Sequence, residues 1–286
     1  MSVNPGAILI TGCSSGIGEE TARRLAGKGW TVYATARRPE SIAGLAEAGC
    51  KTLALDVTDE DSMRAAVEEV EAAEGAVGAL VNNAGYSQSG ALETLPLERL
   101  RAQFETNVFG LMRMCQLVLP GMRRAGRGRI VNISSMGGKL VFPGGGAYHA
   151  SKYAVEALSD ALRWEVREFG VRVVLIEPGL ITTRFGETAA GSIGDAAADP
   201  NDPYAEFNAK VGAMTKAIYE GPMRRLGGGP DAVAKVIERA LTARNPRPRY
   251  TVTASAKLAI AQRRLLGDRG WDAAMRTQFT PPGRNG

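Results

Sequence analysis

Residues 7–20 read AILITGCSSGIGEE, an apolar run that leads through three glycines into a charged segment. The apolar run predicts a buried strand, and the segment after it predicts a helix. Gly12, Gly16 and Gly18 lie in the turn between the two. Such a turn points main-chain N–H groups and the positive end of a helix at one spot, which suits a pyrophosphate, and glycine permits its close approach. The spacing G-x-x-x-G-x-G differs from the commoner G-x-G-x-x-G, so the turn predicts a nucleotide site only in combination with its position.

Strand and helix patterns alternate along the rest of the chain. Helices are predicted at 18–29, at 59–75 with Asp59 as the cap, and from about Leu97 to Arg124. Strands are predicted at 7–11, 31–36, 51–57, 78–85, 128–135, 171–179 and 249–253. This alternation favours parallel strands joined by right-handed crossovers. The predicted fold class is therefore α/β, a doubly wound, Rossmann-type fold whose seven-stranded, mainly parallel sheet carries helices on both faces.

We expect a single catalytic domain over residues 1–286, with one insertion and a C-terminal tail. The insertion, 184–229, begins rich in Gly, Ala and Asp and then becomes helical. A loop this long is either functional or disordered, and we predict a substrate-binding lid. Its helical half places an apolar face at Phe207, Val211, Met214 and Ile218, and in some registers Tyr219. An ordinary surface helix remains the alternative, and residues 245–286 supply the last strand and the tail.

Composition limits the classes of function. The chain has a net charge of +5, 44% hydrophobic residues and 23% charged residues, which is ordinary for a globular protein. Its arginine clusters at 122–129 and 262–266 contain no interleaved aromatic residues, so no nucleic-acid partner is expected. No apolar run reaches the ~20 residues of a membrane span, and no signal peptide is expected. The three scattered cysteines show no metal-ligand spacing, which favours reduced thiols in a cytoplasmic protein and no metal site.

The end of the second predicted strand bears on the choice of nucleotide. An acidic residue there would bind the adenosine ribose hydroxyls and favour NAD. The strand instead ends in ATARR, and the guanidinium of Arg37 could pair with a 2′-phosphate, which favours NADP. NAD remains possible, because Arg37 and Arg38 could simply begin a surface turn before Pro39.

Residues 144–155, GGGAYHASKYAV, contain the only histidine of the chain. On a helix, Tyr148 and Lys152 share one face, whereas His149 is turned by roughly 100° from Tyr148. An ammonium near a phenol favours the phenolate and lowers its pKa, which lets the phenol exchange protons near neutral pH. We therefore expect Tyr148 to carry the proton in any acid/base chemistry, Lys152 to assist it, and His149 to be a bystander.

A second polar motif, VNISSMGG, ends the fifth predicted strand at residues 131–138. Ligands of open α/β sheets bind at the carboxyl ends of the strands. A hydroxyl of Ser134 or Ser135 could therefore hydrogen-bond a substrate carbonyl or alkoxide, although either could be an ordinary turn hydroxyl.

Taken together, these motifs resemble those of the short-chain dehydrogenase/reductase family. The matching segments are TGCSSGIG (11–18), NNAG (82–85), Asn107, the serine pair 134–135, YHASK (148–152) and PGLITT (178–183). The resemblance covers residues 6 to 183 and implies hydride transfer between a nicotinamide and a carbonyl or alcohol. Within the family, VYATARRPES and the long tail most resemble the steroid- and retinol-dehydrogenase-like branch.

The resemblance implies a catalytic tetrad. The family serine lies thirteen positions before the tyrosine, which selects Ser135 to orient the substrate oxygen and stabilise its charge. Tyr148 would donate the proton in reduction and accept it in oxidation. Lys152 would lower the tyrosine pKa and bind the nicotinamide ribose. Asn107, within the fourth predicted helix, would hold a water that links Lys152 to solvent.

The resemblance also implies a set of cofactor contacts. Asp56 would bind the adenine amino group, Asn83 and Ala84 would contact the adenosine side, and Ile181 and Thr183 would fix the nicotinamide amide. The complete expected set is Gly12, Ser14, Ser15, Gly16, Ile17, Gly18, Arg37, Asp56, Val57, Asn83, Ala84, Gly85, Tyr148, Lys152, Pro178, Gly179, Ile181 and Thr183.

The resulting hypothesis is an NADP(H)-dependent oxidoreductase of a hydrophobic secondary alcohol or ketone, such as a steroid, a retinoid or a similar small carbonyl compound. The alternatives are an NAD-linked alcohol dehydrogenase and a non-catalytic NADP(H)-sensing protein. The family implies a homodimer or homotetramer through helices at about 97–124 and 148–169. A membrane-surface helix at 255–266 is a further alternative, but its apolar residues form no clean stripe, so a tail packed on the domain or on a partner subunit is favoured.

Overall fold

A computed structural model describes residues 4–183, 185–193, 202–221, 225–279 and 281–282. Seven strands form one sheet in the order β3-β2-β1-β4-β5-β6-β7, and every described pair is parallel. The strands are β1 (Ile8–Ile10), β2 (Val32–Ala36), β3 (Lys51–Ala54), β4 (Ala79–Asn82), β5 (Gly128–Ile133), β6 (Val171–Pro178) and β7 (Arg249–Val252). The predicted doubly wound, Rossmann-type sheet is confirmed.

Helices cover both faces of this sheet. They are α1 (Gly16–Ala26), α2 (Ala43–Glu47), α3 (Glu60–Glu74), α4 (Leu97–Phe104), α5 (Leu111–Arg124), α6 (Gly146–Glu165), α7 (Phe185–Gly191), α8 (Ala205–Glu220), α9 (Pro230–Thr242) and α10 (Ala254–Gln278). Successive strand residues point to opposite faces. Leu9 therefore packs in the core beneath α3, α5 and α6, whereas Ile8 and Ile10 pack in the core beneath α1 and α9.

The helix predicted from Leu97 to Arg124 is interrupted. A π-helical segment, Glu105–Gly110, separates α4 from α5 and contains Asn107. Close packing accompanies the interruption, because a Cβ on Gly110 would lie 2.2 Å from the carbonyl oxygen of Val57. The chain is helical throughout the predicted range, but the sequence does not predict the π-helical segment, since apolar periodicity does not distinguish α-helical from π-helical turns.

The predicted lid and tail form a third layer above the carboxyl ends of the strands. Helices α7 and α8 lie within the insertion, and α7 occupies part of its first half, whereas the sequence predicts a helix only later in the insertion. Residues 184, 194–201 and 222–224 of the predicted lid lie outside the described residues. A separate apolar cluster joins α8 to the loop before α6 and to α10, through Val211, Leu140, Ile260 and Trp271.

Helix α10 is broken at Gly267, whose φ of 61° and ψ of −167° are readily adopted only by glycine. Both halves of the helix pack on the protein, with Ile260 before the break and Trp271 and Met275 after it. The prediction of a packed tail agrees with this arrangement. Among the residues described, no helix has the length and apolar character to cross a bilayer.

Candidate active site

The glycine turn is shaped by its contacts with β4. Gly12 and Gly16 have φ angles of +71° and +64°, which side chains rarely adopt. The amide nitrogen of Asn83 donates to the carbonyl oxygens of Thr11 and Gly12, at 3.0 and 2.9 Å. A Cβ on Gly18 would lie 2.4 Å from the Gly12 carbonyl oxygen. The positive φ angles and the close approach explain why glycine occupies these three positions. The two hydrogen bonds from Asn83 stabilise the turn.

The order of the strands reverses between β1 and β4, where a crevice for ligands is expected in an open α/β sheet. A cavity of about 1530 Å³ lies here and extends from the glycine turn to α8 and α10. The predicted site residues that border it are Gly12, Ser14, Ser15, Gly16, Ile17, Arg37, Asp56, Val57, Asn83, Ala84, Gly85, Ser135, Tyr148, Lys152, Pro178, Gly179, Ile181 and Thr183. Its volume exceeds the ~300–1,000 Å³ of a site for one drug-sized ligand, so it has room for a dinucleotide and a second molecule.

Arg37 is exposed at the edge of this cavity. Its guanidinium has no hydrogen-bond or ion-pair partner within the described parts of the chain. Arg38 is equally exposed, but it does not border the cavity. Asp56 also borders the cavity, and one of its carboxylate oxygens accepts from the main-chain N–H and the hydroxyl of Thr58, at 2.9 and 2.8 Å.

Tyr148, Ser135 and Lys152 meet at the carboxyl end of β5. The ammonium nitrogen of Lys152 donates to the main-chain carbonyl of Ile133 at 2.8 Å and lies 5.8 Å from the centre of the Tyr148 ring. On its other side, the Tyr148 ring is 5.4 Å from that of Phe185 in α7, centre to centre. Ser135 accepts a 3.0 Å hydrogen bond from the N–H of Gly137, which holds its hydroxyl at the cavity wall. Tyr148 thus stands between the glycine-turn side of the cavity and the helices above the sheet.

Burial shifts the pKa values of both Tyr148 and Lys152. Burial raises the pKa of Tyr148, and a hydrogen bond with Ser135 opposes that rise without cancelling it. Burial lowers the pKa of Lys152 to about 8, while the carboxylate of Glu156 acts in the opposite direction. In the protein alone, desolvation of the phenol therefore outweighs any lowering of its pKa by the Lys152 ammonium, which lies 5.8 Å from the ring centre.

His149 borders the same cavity as Tyr148, but its ring has other partners. Its Nδ1 lies 3.0 Å from the carbonyl oxygen of Gly137, and its Nε2 accepts from the N–H of Phe142 at 3.2 Å. The first contact requires a proton on Nδ1 and the second requires a bare Nε2, so the ring is neutral. Burial lowers the pKa of His149 to about 4. Through these two contacts, His149 stabilises the loop between β5 and α6.

Asn107 and Gly18 are the two predicted site residues that do not border the cavity. The side chain of Asn107 is buried in the π-helical segment. Its amide nitrogen donates to the Tyr86 carbonyl and the Ser151 hydroxyl, at 3.0 and 3.1 Å, and its oxygen accepts from the Tyr86 N–H at 3.1 Å. Both of its N–H groups are therefore used within the protein.

Sequence reasoning missed much of the upper wall of the cavity. Helix α8 contributes the expected Val211, Met214, Ile218 and Tyr219, but the wall also includes Tyr86, Phe142, Leu226, Leu258, Ala259, Leu266, Trp271, Ala274, Met275 and Phe279. Trp271, Met275 and Phe279 recur at intervals of four residues. This spacing indicates an apolar helix face, yet it does not reveal which surface the face covers.

The chain is similar to proteins of known family. A family model described as short chain dehydrogenase matches residues 6–191. A 3-ketodihydrosphingosine reductase of Bacteroides thetaiotaomicron is 40% identical over 238 residues, which cover 83% of this chain and 85% of that protein. The 17-beta-hydroxysteroid dehydrogenase type 1 of Homo sapiens is 38% identical over 260 residues, covering 86% and 77%.

Two solved structures extend the comparison. A short-chain dehydrogenase from Streptomyces avermitilis has a TM-score of 0.74 and 32% identity, covering 95% of this chain and 98% of that one. The closed form of a serine dehydrogenase complexed with NADP+ has a TM-score of 0.73 and 28% identity, covering 86% and 94%.

Proposed function

This chain belongs to the short-chain dehydrogenase family, and from that premise we propose that it is an NADP(H)-dependent oxidoreductase of a hydrophobic secondary alcohol or ketone. The observation that carries the proposal is the position of Tyr148. It stands with Ser135 between the glycine-turn part of the cavity and an apolar part walled by Phe185, Val211 and Met214. A nicotinamide reaching in from the one side would meet an apolar substrate from the other.

The residues present fit a dinucleotide. Glycines at 12, 16 and 18 leave the turn without side chains, and α1 begins at Gly16, so its N-terminal N–H groups face a pyrophosphate placed there. Asp56, Asn83, Ala84 and Gly85 would border the adenosine half. Pro178, Gly179, Ile181 and Thr183 would border the nicotinamide half. We place the whole activity in one catalytic domain, 1–286, in the cytoplasm.

When bound, the reduced cofactor supplies the hydride that the substrate carbonyl carbon accepts. Ser135 would donate a hydrogen bond to the carbonyl oxygen and stabilise its growing negative charge. Tyr148, protonated because burial raises its pKa, would give its phenolic proton to that oxygen. Oxidation of an alcohol runs through the same groups in reverse, with the proton returning to the tyrosine oxygen.

The phenolate left after reduction needs a positive neighbour and a route for its next proton. Lys152 lies one turn away on the same face of α6 and would supply both, besides binding the nicotinamide ribose. Asn107 is proposed to hold a water on this route. Because both N–H groups of its side chain are occupied, such a water would donate to Asn107 rather than accept from it.

The exposed guanidinium of Arg37 supports NADP over NAD. It borders the cavity after β2, where an NAD-binding site would carry an acidic residue. A 2′-phosphate would there gain a charge-assisted hydrogen bond that the ribose hydroxyl of NAD cannot form equally well.

The lid is proposed to be α7 and α8 with the segments beside them. Gln88 donates to the carbonyl of Ser192 at 2.8 Å, and the N–H of Ala91 donates to the side chain of Asn208 at 2.9 Å. Val211 packs on the loop before α6, since a Cβ on Gly144 would lie 2.6 Å from it. With ligands bound, these hydrogen bonds and the apolar face would hold the two helices over Tyr148 and exclude water from the reaction.

We also propose a homodimer or homotetramer through the two predicted segments, 97–124 and 148–169. Large apolar side chains are exposed there, with Phe109 at 56% and Trp164 at 68% of their full accessible area. A second copy of the chain would cover them. Sedimentation of the wild type and of Trp164→Lys tests this, because the variant is expected to sediment as a smaller species.

A panel of ketones and secondary alcohols, followed by the absorbance of the reduced nicotinamide with each cofactor, tests the main proposal. Turnover with NADPH but weak turnover with NADH is the expected result. Faster turnover with NADH would favour the NAD-linked alternative. Tight NADPH binding without turnover of any compound would favour a sensing protein.

A further inference from the structure

Both halves of helix α10 line the part of the cavity proposed to hold the substrate. Before the break, Leu258, Ala259, Gln262 and Leu266 border the cavity; after it, Trp271, Ala274, Met275, Gln278 and Phe279 do. Within each half these residues recur at three- and four-residue intervals, which is one face of a helix. The break at Gly267 allows two such faces, from one continuous segment, to enclose the same space.

A row of rings connects the proposed proton donor to this wall. The centre of the Tyr148 ring lies 5.7 Å from that of His149, which lies 5.9 Å from Phe142, which in turn lies 5.8 Å from Trp271. Since the same four residues all border the cavity, the space beside them runs from the reacting hydroxyl to α10. A substrate whose carbonyl sits at Tyr148 therefore has an apolar path leading away from the chemistry.

Trp271 also borders a second cavity. This cavity, of about 540 Å³, lies beyond this wall and shares Pro143, Trp271, Met275 and Phe279 with the first. At the other end of α10, Leu258 and Leu266 border the first cavity and are still 49% and 44% exposed. The substrate space therefore extends along both halves of α10, and exposed leucines form part of its rim.

The character of the side chains favours a flexible occupant. Met136, Met214 and Met275 all border the cavity, and methionine adapts to irregular or changing shapes. Of the polar residues that α10 contributes, Gln262 and Gln278 are exposed, whereas Ser255 is buried and its hydroxyl hydrogen-bonds with the Leu180 N–H and the Thr253 hydroxyl. A rigid bifunctional ring system would need polar partners at a fixed distance from Tyr148, whereas an unbranched chain needs only apolar area.

We propose that α10 forms the wall of a tunnel for an unbranched aliphatic chain, and that the substrate is the ketone or secondary alcohol of a long single-chain amphiphile. This inference rests on the proposed function, because it assumes that the carbonyl is reduced at Tyr148. Met275 and Trp271 then set the chain length that the enzyme accepts.

The test is a series of methyl ketones from 2-butanone to 2-hexadecanone, with NADPH and the full-length enzyme. Each added methylene is expected to raise kcat/KM about two- to fourfold until the tunnel is filled. Met275→Trp narrows the tunnel, so the ratio of long-chain to short-chain kcat/KM is expected to fall at least tenfold. Leu265→Trp adds the same ring to an 86% exposed position of α10 that does not border the cavity, and it should behave as the wild type.

Ala274→Leu is a smaller change in the same wall, for use if Met275→Trp does not fold. Two results would overturn the tunnel. One is a wild-type kcat/KM that does not rise with chain length, and the other is a folded Met275→Trp or Ala274→Leu variant that keeps the wild-type preference for long chains. If no ketone is turned over with either cofactor, the proposed function fails, and the tunnel is then tested by ligand binding alone. Calorimetric binding of 2-tetradecanone that is lost in Met275→Trp and kept in Leu265→Trp would then support it, and absence of binding would overturn it.

Discussion

The ammonium nitrogen of Lys152 lies 5.8 Å from the centre of the Tyr148 ring, on the same face of α6 and one helical turn away. The one-turn separation and the shared face follow from the helical repeat, as the segment YHASK predicts. Burial nevertheless raises the pKa of Tyr148 and lowers that of Lys152 to about 8. In the protein alone, burial therefore favours the protonated phenol, which is the state from which the proposed reduction of a ketone would begin.

Removal of the phenolic hydroxyl should abolish most turnover. We expect Tyr148→Phe to reduce kcat by ~10²-fold or more, because the ring remains while the proton donor is lost. NADPH binding, measured by calorimetry, should survive. His149→Ala is the neighbouring control, and it should retain most of the activity of the folded enzyme. An active phenylalanine variant beside an inactive alanine variant would assign the proton to the histidine instead.

Arg37→Ala should weaken NADPH binding selectively. Loss of one charge-assisted hydrogen bond to the 2′-phosphate should reduce the affinity roughly thirtyfold, while NADH affinity barely changes. Arg38→Ala is the matched control, since Arg38 is also exposed but does not border the cavity. If Arg37→Ala loses equal affinity for NADPH and NADH, Arg37 does not recognise the 2′-phosphate and has only a general structural role.

Gly18→Ala should distort the glycine turn. The new methyl group would lie 2.4 Å from the Gly12 carbonyl oxygen and 2.5 Å from the Asn83 amide nitrogen, so the main chain must shift. We expect NADPH affinity to fall roughly tenfold or more, because the turn N–H groups move from their places. Gly44→Ala, in α2, meets no atom within 4 Å and should leave the affinity unchanged. Normal affinity in Gly18→Ala would show that the turn is not the pyrophosphate site.

The burial of neutral His149 should make the fold acid-sensitive. Its pKa is about 4 in the folded protein, against 6.5 for a histidine side chain in water, so the unfolded chain binds more protons between these values. The stability due to the neutral ring is complete above pH 6.5 and is lost as the pH falls towards 4, by at most about 3 kcal/mol. Urea denaturation as a function of pH should show a shallower dependence for His149→Gln than for the wild type. Parallel curves for the two proteins would contradict the buried, neutral assignment.

The lid proposal predicts a ligand-dependent change in hydrogen exchange. Amides of α7 and α8 should exchange fast in the free protein and slowly when NADP and a substrate analogue are bound together. Helix α9, which packs on the sheet, serves as the internal control and should be protected in both states. If the amides of α7 and α8 are strongly protected in the free protein and ligands do not change this, the lid proposal is wrong and these are ordinary surface helices.

Some features of the site follow from the sequence because they depend on near neighbours along the chain. The turn from Gly12 to Gly18 joins a strand to the helix that follows it in the sequence, so its place in the fold can be predicted from those two elements. Tyr148 and Lys152 share a face because the helical repeat places them there. The order of strands and helices likewise follows from apolar patterns that repeat every two or every 3.6 residues.

Other features were decided only by tertiary packing, because they join residues far apart in the sequence. Trp271 donates from its ring nitrogen to the carbonyl of Val141 at 3.0 Å and so joins the tail to the loop before α6. Asn107, in the π-helical segment, faces Tyr86 and Ser151 rather than the cavity. The pKa of Tyr148 depends on how deeply the folded chain buries its phenol. Local periodicity carries no information on such contacts, which arise only when the layers close over the sheet.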